Sequence, residues 1–250
     1  MKSIWITGAS SGIGKALTLK FANEGWQVAA SARREDLLNK IAESNENISS
    51  FPLDVTSSEK CKDVFEQIKN KLKSIDICFF STGTWDPKKE KEIDLDQMKK
   101  VMNVNFFGTL NCIKAVEKYF REKNTGHISI VSSIAGYRGL PNSTGYGASK
   151  AALNNLAESL YFDFGRNNVR VSLVSPGFIK TQMTDKNQFK MPFLKTAEYA
   201  ADKIYKGLIN GSSFEIDFPK ELTLILKFLK ILPDSLYFKV IKKLTKYQKR

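Results

Sequence analysis

The chain has 250 residues, of which 42% are hydrophobic, enough for one large α/β domain or two small ones. Three scattered cysteines (Cys61, Cys78, Cys112) and one histidine (His127) disfavour a disulfide framework and a zinc site, so we predict no metal and a reducing, cytoplasmic compartment. The net charge is +13, and neither a signal peptide nor an apolar run of about 18 residues, long enough to span a membrane, is apparent.

Residues 3–7 predict a buried β-strand, and the glycine-rich turn after it predicts a phosphate-binding loop at the start of a helix. Glycine permits positive φ and close backbone approach, while a helix N-terminus presents free N–H groups to a pyrophosphate. The spacing Gly-x-x-x-Gly-x-Gly differs from the commoner Gly-x-Gly-x-x-Gly fingerprint, and alone it often marks only a tight connection. We assign cofactor contacts to Gly8, Ser10, Ser11, Gly12, Ile13 and Gly14.

Strands and helices alternate after this turn. We predict strands at 27–31, 50–54 and 76–81, and helices at 34–43 and 58–72. Such alternation with short turns is typical of a parallel sheet covered by helices on both faces. We therefore expect residues 1–218 to form an α/β domain of Rossmann type, a doubly wound parallel sheet of about seven strands.

The end of the second predicted strand indicates which dinucleotide binds. A carboxylate there would contact the adenosine ribose 2′-hydroxyl, but the sequence ends in Arg33 and Arg34. Guanidinium groups suit a 2′-phosphate through bidentate hydrogen bonds, so we predict NADP(H) over NAD(H). Asp54 and Val55 follow the third strand, where a carboxylate could contact the adenine amino group, although Asp54 could equally cap the next helix.

A tyrosine and a lysine carry the predicted chemistry. On a helix, Tyr146 and Lys150 lie on one face, one turn apart. A nearby ammonium group lowers the pKa of a phenol from about 10 towards neutrality, so the tyrosine can exchange a proton with an alcohol or alkoxide near pH 7. Taken alone, this pair is more often a coincidence of spacing.

Two segments upstream strengthen that interpretation. Residues 98–123 predict a long helix, in which Asn105 and Gly108 are poor choices and indicate a local distortion. The predicted strand at 126–132 leads to Ser133 at the carboxyl edge of the sheet, where open α/β folds bind ligands. His127 opens this strand, and we expect it to be partly exposed and without a functional role.

Together these segments resemble the short-chain dehydrogenases/reductases over residues 1–218. The matching motifs are Thr7-Gly8-x-x-x-Gly12-Ile13-Gly14, Asn105-Phe106-Phe107-Gly108, the Ser133, Tyr146 and Lys150 set, and Pro176-Gly177 with Thr181. The resemblance implies that Tyr146 is the general acid/base and that Lys150 lowers its pKa and binds the nicotinamide ribose. It also implies that Ser133 binds the substrate oxygen and that Asn105 holds a water for proton relay.

The resemblance also assigns cofactor contacts to Gly83, Pro176, Gly177, Ile179 and Thr181. The chain departs from the family's Asn-Ala-Gly motif by having Ser81-Thr82-Gly83, so that hydroxyls replace an amide that ties the sheet together. We expect a homodimer or a homotetramer.

The loop after Gly177 is rich in apolar side chains, namely Phe178, Ile179, Met183, Phe189, Met191, Pro192, Phe193 and Leu194. They either line a cleft for a lipophilic substrate or pack the loop on the core. Tyr137, Arg138 and Leu140 are candidates for the other wall. The predicted reaction is hydride transfer between NADP(H) and a carbonyl or alcohol; an epimerase or dehydratase and a non-catalytic NADP(H) sensor are the alternatives.

Residues 219–250 predict a basic, amphipathic helical extension, preceded by a helix at 196–210 and a last strand at 213–218. Nine basic and two acidic residues give residues 220–250 a charge of +7, and Pro233-Asp234 separates two helical segments, 221–232 and 235–250. Three interpretations remain open: a peripheral membrane anchor, an oligomer interface or cap over the substrate cleft, and a packed pair with a solvated basic face. We predict no nucleic-acid partner, because aromatic residues do not alternate regularly with the lysines.

Overall fold

The computed structural model describes residues 1–86, 93–187, 190–211 and 213–245. Its centre is a parallel sheet of seven strands in the order β3-β2-β1-β4-β5-β6-β7. The strands are β1 (Ser3–Thr7), β2 (Gln27–Ala32), β3 (Ile48–Pro52), β4 (Ile77–Phe80), β5 (Gly126–Val131), β6 (Val169–Pro176) and β7 (Glu215–Phe218). The predicted doubly wound α/β fold is therefore confirmed.

Helices follow the strands in alternation up to β7 and then form the extension. They are α1 (Gly12–Asn23), α2 (Glu35–Glu43), α3 (Ser58–Leu72), α4 (Leu95–Met102), α5 (Gly108–Lys123), α6 (Thr144–Gly165), α7 (Ala197–Ile209), α8 (Lys220–Lys230) and α9 (Asp234–Leu244). The second helix of the extension is described as far as Leu244, and residues 246–250 of that prediction lie outside the described residues.

Alternation of side chains along β1 explains why the sheet is covered on both faces. Ile4 and Ile6 belong to a core cluster with buried residues of α1, α2 and α7. Trp5, between them, belongs to a second cluster with buried residues of α3, α5 and α6. Because both faces are covered, polar chemistry is confined to the edges where the strands end.

The distortion predicted within residues 98–123 is a π turn at Asn103–Phe107, which joins α4 to α5. Asn105 lies in this turn and is fully buried. Gly108 follows it, and a Cβ at Gly108 would lie only 2.5 Å from Cγ2 of Val55. The glycine therefore allows α5 to approach the segment after β3, and the side chain of Val55 is buried in that contact.

One local prediction was wrong, and one open alternative is decided. His127 is buried rather than partly exposed, because β5 lies in the interior of the sheet, between β4 and β6. Its Nε2 lies 2.8 Å from Oγ of Ser172, and burial lowers the pKa of the imidazole to about 3. The third strand ends at Pro52, and Asp54 accepts hydrogen bonds from N and Oγ1 of Thr56 in a turn. The cap of α3 is consequently Ser57, not Asp54.

The extension packs its inner side on the domain. Leu229, Tyr237 and Ile241 form a small buried cluster against which Leu140 of the domain packs. The hydroxyl of Tyr237 donates a hydrogen bond of 2.8 Å to the carbonyl of Gly139. Over the described residues, none of the helices has the length and apolar character required to cross a bilayer.

Candidate active site

The strand order reverses between β1 and β4, and in such sheets the crevice beyond the carboxyl ends of these strands binds ligands. Ser81, directly after β4, donates a 2.5 Å hydrogen bond from Oγ to the carbonyl of Thr7, and its N–H donates to Oγ1 of Thr7 at 3.2 Å. Hydroxyl groups therefore tie β1 to β4 in this chain, at the place where the family pattern has an amide.

The glycine-rich turn lies at this crevice and requires glycine at three positions. Gly8 and Gly12 have φ values of +72° and +55°, and a Cβ on Gly14 would lie 2.3 Å from the carbonyl oxygen of Gly8. Ser11 precedes α1 without a side-chain capping bond. The N-terminus of α1 can thus offer backbone N–H groups to an anion, and Ile13 behind it packs on the core.

Arg34, after β2, joins this turn to Gln182 in the loop after β6. Its guanidinium donates hydrogen bonds to Oγ of Ser10 at 3.0 Å and of Ser11 at 2.7 Å, and to Oε1 of Gln182 at 3.2 Å. Arg33 is exposed beside Asp54. Burial disfavours ionisation of Asp54, but hydrogen bonds from Thr56 and the charge of Arg33 outweigh it and lower the carboxyl pKa. Two cations thus follow β2, and one of them is bound by two hydroxyls of the glycine-rich turn.

Lys150 is the buried cation of the crevice. Its side chain comes from α6, is 4% exposed, and donates a 2.9 Å hydrogen bond from Nζ to the carbonyl of Val131 at the end of β5. Burial lowers the pKa of its ammonium group to about 8. Nζ lies 5.7 Å from the ring centroid of Tyr146, so the predicted pair does share one face of the helix.

The side chain of Asn105 fastens three segments around this pair. Its Oδ1 accepts a hydrogen bond from N of Thr84 at 2.7 Å, and its Nδ2 donates to the carbonyl of Thr84 at 3.1 Å and to Oγ of Ser149 at 2.9 Å. Ser149 in turn donates to the carbonyl of Tyr146 at 2.7 Å. A Cβ on Gly83 would lie 3.6 Å from Oδ1 of Asn105, so the backbone after β4 borders the same site.

The two serines after β5 have different partners. Ser132 is buried and donates to the carbonyl of Lys150 at 3.0 Å. Ser133 accepts a 3.1 Å hydrogen bond from N of Ala135, which leaves its own hydroxyl proton to donate. Ser133, Tyr146 and Lys150 therefore all lie near the end of β5.

Trp85 is a neighbour of the site that the sequence analysis missed. Its ring lies 5.2 Å from the ring of Tyr146, tilted by 32°. Its Nε1 is buried and has no hydrogen-bond partner among the described residues. The only indication in the sequence was the position of Trp85 shortly after β4, a strand that ends at the edge of the sheet where ligands bind.

The loop after β6 closes another side of the crevice. Gly177 donates from N to the carbonyl of Phe218 at 2.7 Å, and Ile179 is buried and bridges to Lys195. A Cβ on Gly12 would lie 3.0 Å from Cγ2 of Thr181, so this loop contacts the glycine-rich turn. The apolar residues of the loop divide: Ile179 packs in the core, Phe193 and Leu194 are 45% and 40% exposed, and Phe189 lies outside the described residues.

The residues predicted for the second wall contact β7 and the extension. Tyr137 donates from its hydroxyl to Oε1 of Glu215 at 2.7 Å, and burial raises the pKa of this phenol. Arg138 donates to carbonyl groups of the extension, and Leu140 packs on its buried cluster. Arg138 and Leu140 thus hold the extension in place. Its helices cover a surface that the sequence analysis had left open to substrate.

Comparison with known proteins agrees with this geometry. The family model described as short chain dehydrogenase matches residues 2–191. An uncharacterised oxidoreductase of Myxococcus xanthus is 31% identical over 236 residues, which cover 93% of this chain and 93% of that protein. The 3-oxoacyl-(acyl-carrier-protein) reductase FabG of Thermotoga maritima is 37% identical over 188 residues, which cover 72% of this chain and 75% of that protein.

A solved structure, ElxO with NADP bound, is similar with a TM-score of 0.76 and 28% identity, over 86% of this chain and 97% of ElxO. The family match spans most of the chain and includes the glycine-rich turn, Ser133, Tyr146 and Lys150. On this evidence the chain belongs to the short-chain dehydrogenase family of oxidoreductases.

Proposed function

We propose that the protein is an NADP(H)-dependent oxidoreductase that transfers a hydride between nicotinamide and a carbonyl or alcohol of a lipophilic substrate, with reduction of the carbonyl as the direction in the cell. The observation that carries this proposal is the buried Lys150 beside the ring of Tyr146, next to Ser133 at the end of β5. A buried ammonium group shifts the pKa of a neighbouring phenol, and groups with shifted pKa values are typical of sites of proton transfer.

Hydride transfer is the chemistry that nicotinamide supplies when bound. Tyr146 donates the proton to the carbonyl oxygen as negative charge develops on it, and Ser133 donates a hydrogen bond to the same oxygen. Lys150 favours the phenolate by its charge and would contact the ribose. Because burial lowers its own pKa to about 8, Lys150 loses this effect above that pH. Asn105 supports proton relay by holding Thr84 and Ser149 in position.

The residues at the crevice fit a dinucleotide. The turn from Gly8 to Gly14 and the N-terminus of α1 would hold the pyrophosphate, and Arg33 and Arg34, with Ser10 and Ser11, would hold the 2′-phosphate. Asp54 and Val55 would contact adenine, and Gly83, Pro176, Gly177, Ile179 and Thr181 would border the nicotinamide half. ElxO, solved with NADP, supports the choice of NADP(H).

Single alanine variants of Arg33 and Arg34 test the cofactor. Loss of a hydrogen-bonded charge typically costs about 1.5–3 kcal/mol, so we expect KM for NADPH to rise roughly 10- to 100-fold in the Arg34→Ala variant. KM for NADH should stay within about threefold, since NADH has no 2′-phosphate to lose this contact. Equal effects on both cofactors in both variants would refute the NADP(H) assignment.

The substrate class is tested with NADPH oxidation at neutral pH against aldehydes and ketones of increasing chain length. The similarity to a 3-oxoacyl reductase and the aromatic neighbour Trp85 support a carbonyl on an apolar chain. We expect kcat/KM to rise with chain length. NADPH binding without turnover of any carbonyl on the panel would favour the alternative, a nucleotide-binding regulator.

Assembly and location complete the proposal. Phe107, Tyr161 and Phe162 are 49%, 50% and 71% exposed, and such aromatic residues support a homodimer or homotetramer, which light scattering would measure. The three cysteines are free and buried, which suits a cytoplasmic, reducing compartment. Peripheral contact with a lipid surface through the extension is a separate proposal, on which the oxidoreductase function does not depend.

A further inference from the structure

The outer side of α8 is apolar. Its exposed large side chains recur at intervals of one, three and four residues and so share one face of the helix. These four residues, 46–77% exposed, are here called the apolar face: Leu224, Ile225 and Phe228 on α8, and Ile231 directly after it. On α9, the exposed Leu236, Phe238 and Leu244 flank a surface that carries Lys239, Lys242 and Lys243.

Polar contacts between the domain and the inner side of the two helices keep the apolar face exposed to solvent. Arg138 of the domain donates to the carbonyls of Lys230 at 3.1 Å and Leu232 at 2.7 Å, where α8 ends. It also pairs with Asp234 at the start of α9, and its guanidinium lies 3.9 Å from the ring centroid of Tyr237. Because these contacts fix both helices, the exposed apolar side chains cannot turn inward. Exposed apolar patches of this kind mark interaction surfaces.

The charges beside the apolar face are mostly positive and therefore favour an anionic partner. Lys220 and Lys227 are neutralised by Asp217, and Lys227 also by Glu215. The remaining lysines of the hairpin are exposed and form no ion pair with a described carboxylate; they are Lys230, Lys239, Lys242 and Lys243. A second copy docked by two-fold symmetry would place these four lysines against the same four of its partner, which is unfavourable.

The apolar face lies on the side of the molecule where the loop after β6 begins. Strands β6 and β7 are parallel neighbours, so the loop after β6 and helix α8 after β7 leave the same edge of the sheet. Contact between them is close, since a Cβ on Gly177 would lie 3.0 Å from Cδ2 of Leu222. The exposed Phe193 and Leu194 belong to that loop.

We propose that the α8–α9 hairpin docks on an anionic lipid bilayer, with the apolar face at the acyl boundary and the four exposed lysines at the headgroups. Docking brings the loop after β6 to the lipid surface, so that a lipophilic carbonyl enters the site from the bilayer. The route of the substrate rests on the proposed function, whereas docking itself does not.

Sedimentation of the full chain with vesicles tests the docking. One set contains phosphatidylcholine alone, and the other contains phosphatidylcholine and phosphatidylglycerol at three to one. Two variants alter the hairpin: Phe228→Ser with Ile231→Ser, and Lys239→Gln with Lys242→Gln and Lys243→Gln. A matched control, Lys40→Gln with Lys62→Gln and Lys71→Gln, removes the same charge from exposed positions on α2 and α3, near the opposite edge of the sheet.

We expect the wild type and the control to sediment with anionic vesicles and hardly at all with neutral ones. Each lysine near an anionic surface contributes about 1 kcal/mol, so the triple lysine variant should bind roughly 100-fold more weakly. The Phe228 and Ile231 variant should lose binding to the anionic vesicles although its charge is unchanged. All variants should oxidise NADPH with a short, water-soluble aldehyde like the wild type, which shows that they are folded.

Absence of vesicle binding by a protein that turns over the soluble aldehyde would overturn docking and leave the proposed function intact. Equal binding to both vesicle types that none of the variants weakens would also overturn it. A dimer that dissociates in the Phe228 and Ile231 variant, without vesicle binding by the wild type, would assign the face to a second copy instead. Vesicle binding without any turnover would retain docking and contradict the proposed function.

Discussion

The catalytic crevice and the C-terminal extension place polar and apolar groups in opposite ways. In the crevice, Lys150 and Asn105 are buried, and each is held by hydrogen bonds within the chain. In the extension, large apolar side chains such as Phe228 and Ile231 lie in contact with water. Burial of polar groups is costly unless they are paired, and exposure of a large apolar patch is costly unless a partner covers it. Lys150 and Asn105 are therefore satisfied within one chain, whereas Phe228 and Ile231 are the kind of groups that a partner would cover.

The largest expected effect is on proton transfer in the crevice. Tyr146→Phe removes only the phenolic hydroxyl, and general acid catalysis by one side chain contributes about 10²- to 10⁴-fold. We expect kcat/KM to fall by about 10³-fold, while Kd for NADPH by fluorescence titration changes less than about threefold. Tyr161→Phe, an exposed tyrosine on the same helix, should behave as the wild type. Residual activity of more than a tenth in the first variant would remove Tyr146 from the mechanism.

Two adjacent leucine and phenylalanine positions sharpen the comparison within α8. Leu229 is buried and Phe228 is 61% exposed. Leu229→Ala should lower the free energy of unfolding by about 2–5 kcal/mol, whereas Phe228→Ala should change it by less than about 1 kcal/mol. Urea denaturation of both variants measures this. Equal losses would show that the outer side of the extension is packed on the chain after all.

Lys150 links the crevice to pH. Its pKa is about 8 in the folded chain and 10.5 when unperturbed, so between these values the unfolded state binds more protons than the folded state. Stability of the cofactor-free protein therefore rises with pH through this window, by about 3 kcal/mol from this group. Lys150→Met should lack this rise. Denaturation of both proteins at about pH 7.5 and about pH 10.5 gives the difference, and parallel behaviour would contradict the burial of a cation there.

Trp85 should show the smallest effect. Trp85→Phe keeps an aromatic ring beside Tyr146 and removes the buried N–H, which we expect to donate to a second polar atom of the substrate. A neutral hydrogen bond contributes about 0.5–1.5 kcal/mol, so KM should rise about 2- to 10-fold with kcat nearly unchanged. Steady-state kinetics would be measured with a 3-oxoacyl thioester, which carries such an atom, and with a simple ketone of equal length, which does not. The donor role predicts that KM rises for the thioester only. Equal changes for both substrates would exclude that donor role.

The sequence predicted those parts of the site whose geometry is set locally. Gly8, Gly12 and Gly14 define a turn within seven residues, and Tyr146 and Lys150 share a helix face by spacing alone. The π turn was indicated by Asn105 and Gly108 in an unfavourable context. The strand boundaries differed by only a few residues.

Features that depend on contacts distant in the chain were not predictable in this way. His127 is buried because the strands on both sides of it come from residues 77–80 and 169–176. Arg138 holds helix ends about ninety residues away, and nothing near it in sequence indicates that. Trp85 meets Tyr146 only because β4 and α6 converge at one edge of the sheet.

Transfer of deuterium tests the central claim most directly. The protein would be incubated with NADPH carrying deuterium at the transferable position of C4 and with a long-chain aldehyde, and the alcohol product would be examined by mass spectrometry. The proposed function predicts one deuterium on the carbinol carbon for the wild type and no product above background for Tyr146→Phe. Formation of alcohol without deuterium, or equal labelling in the variant, would contradict hydride transfer assisted by Tyr146.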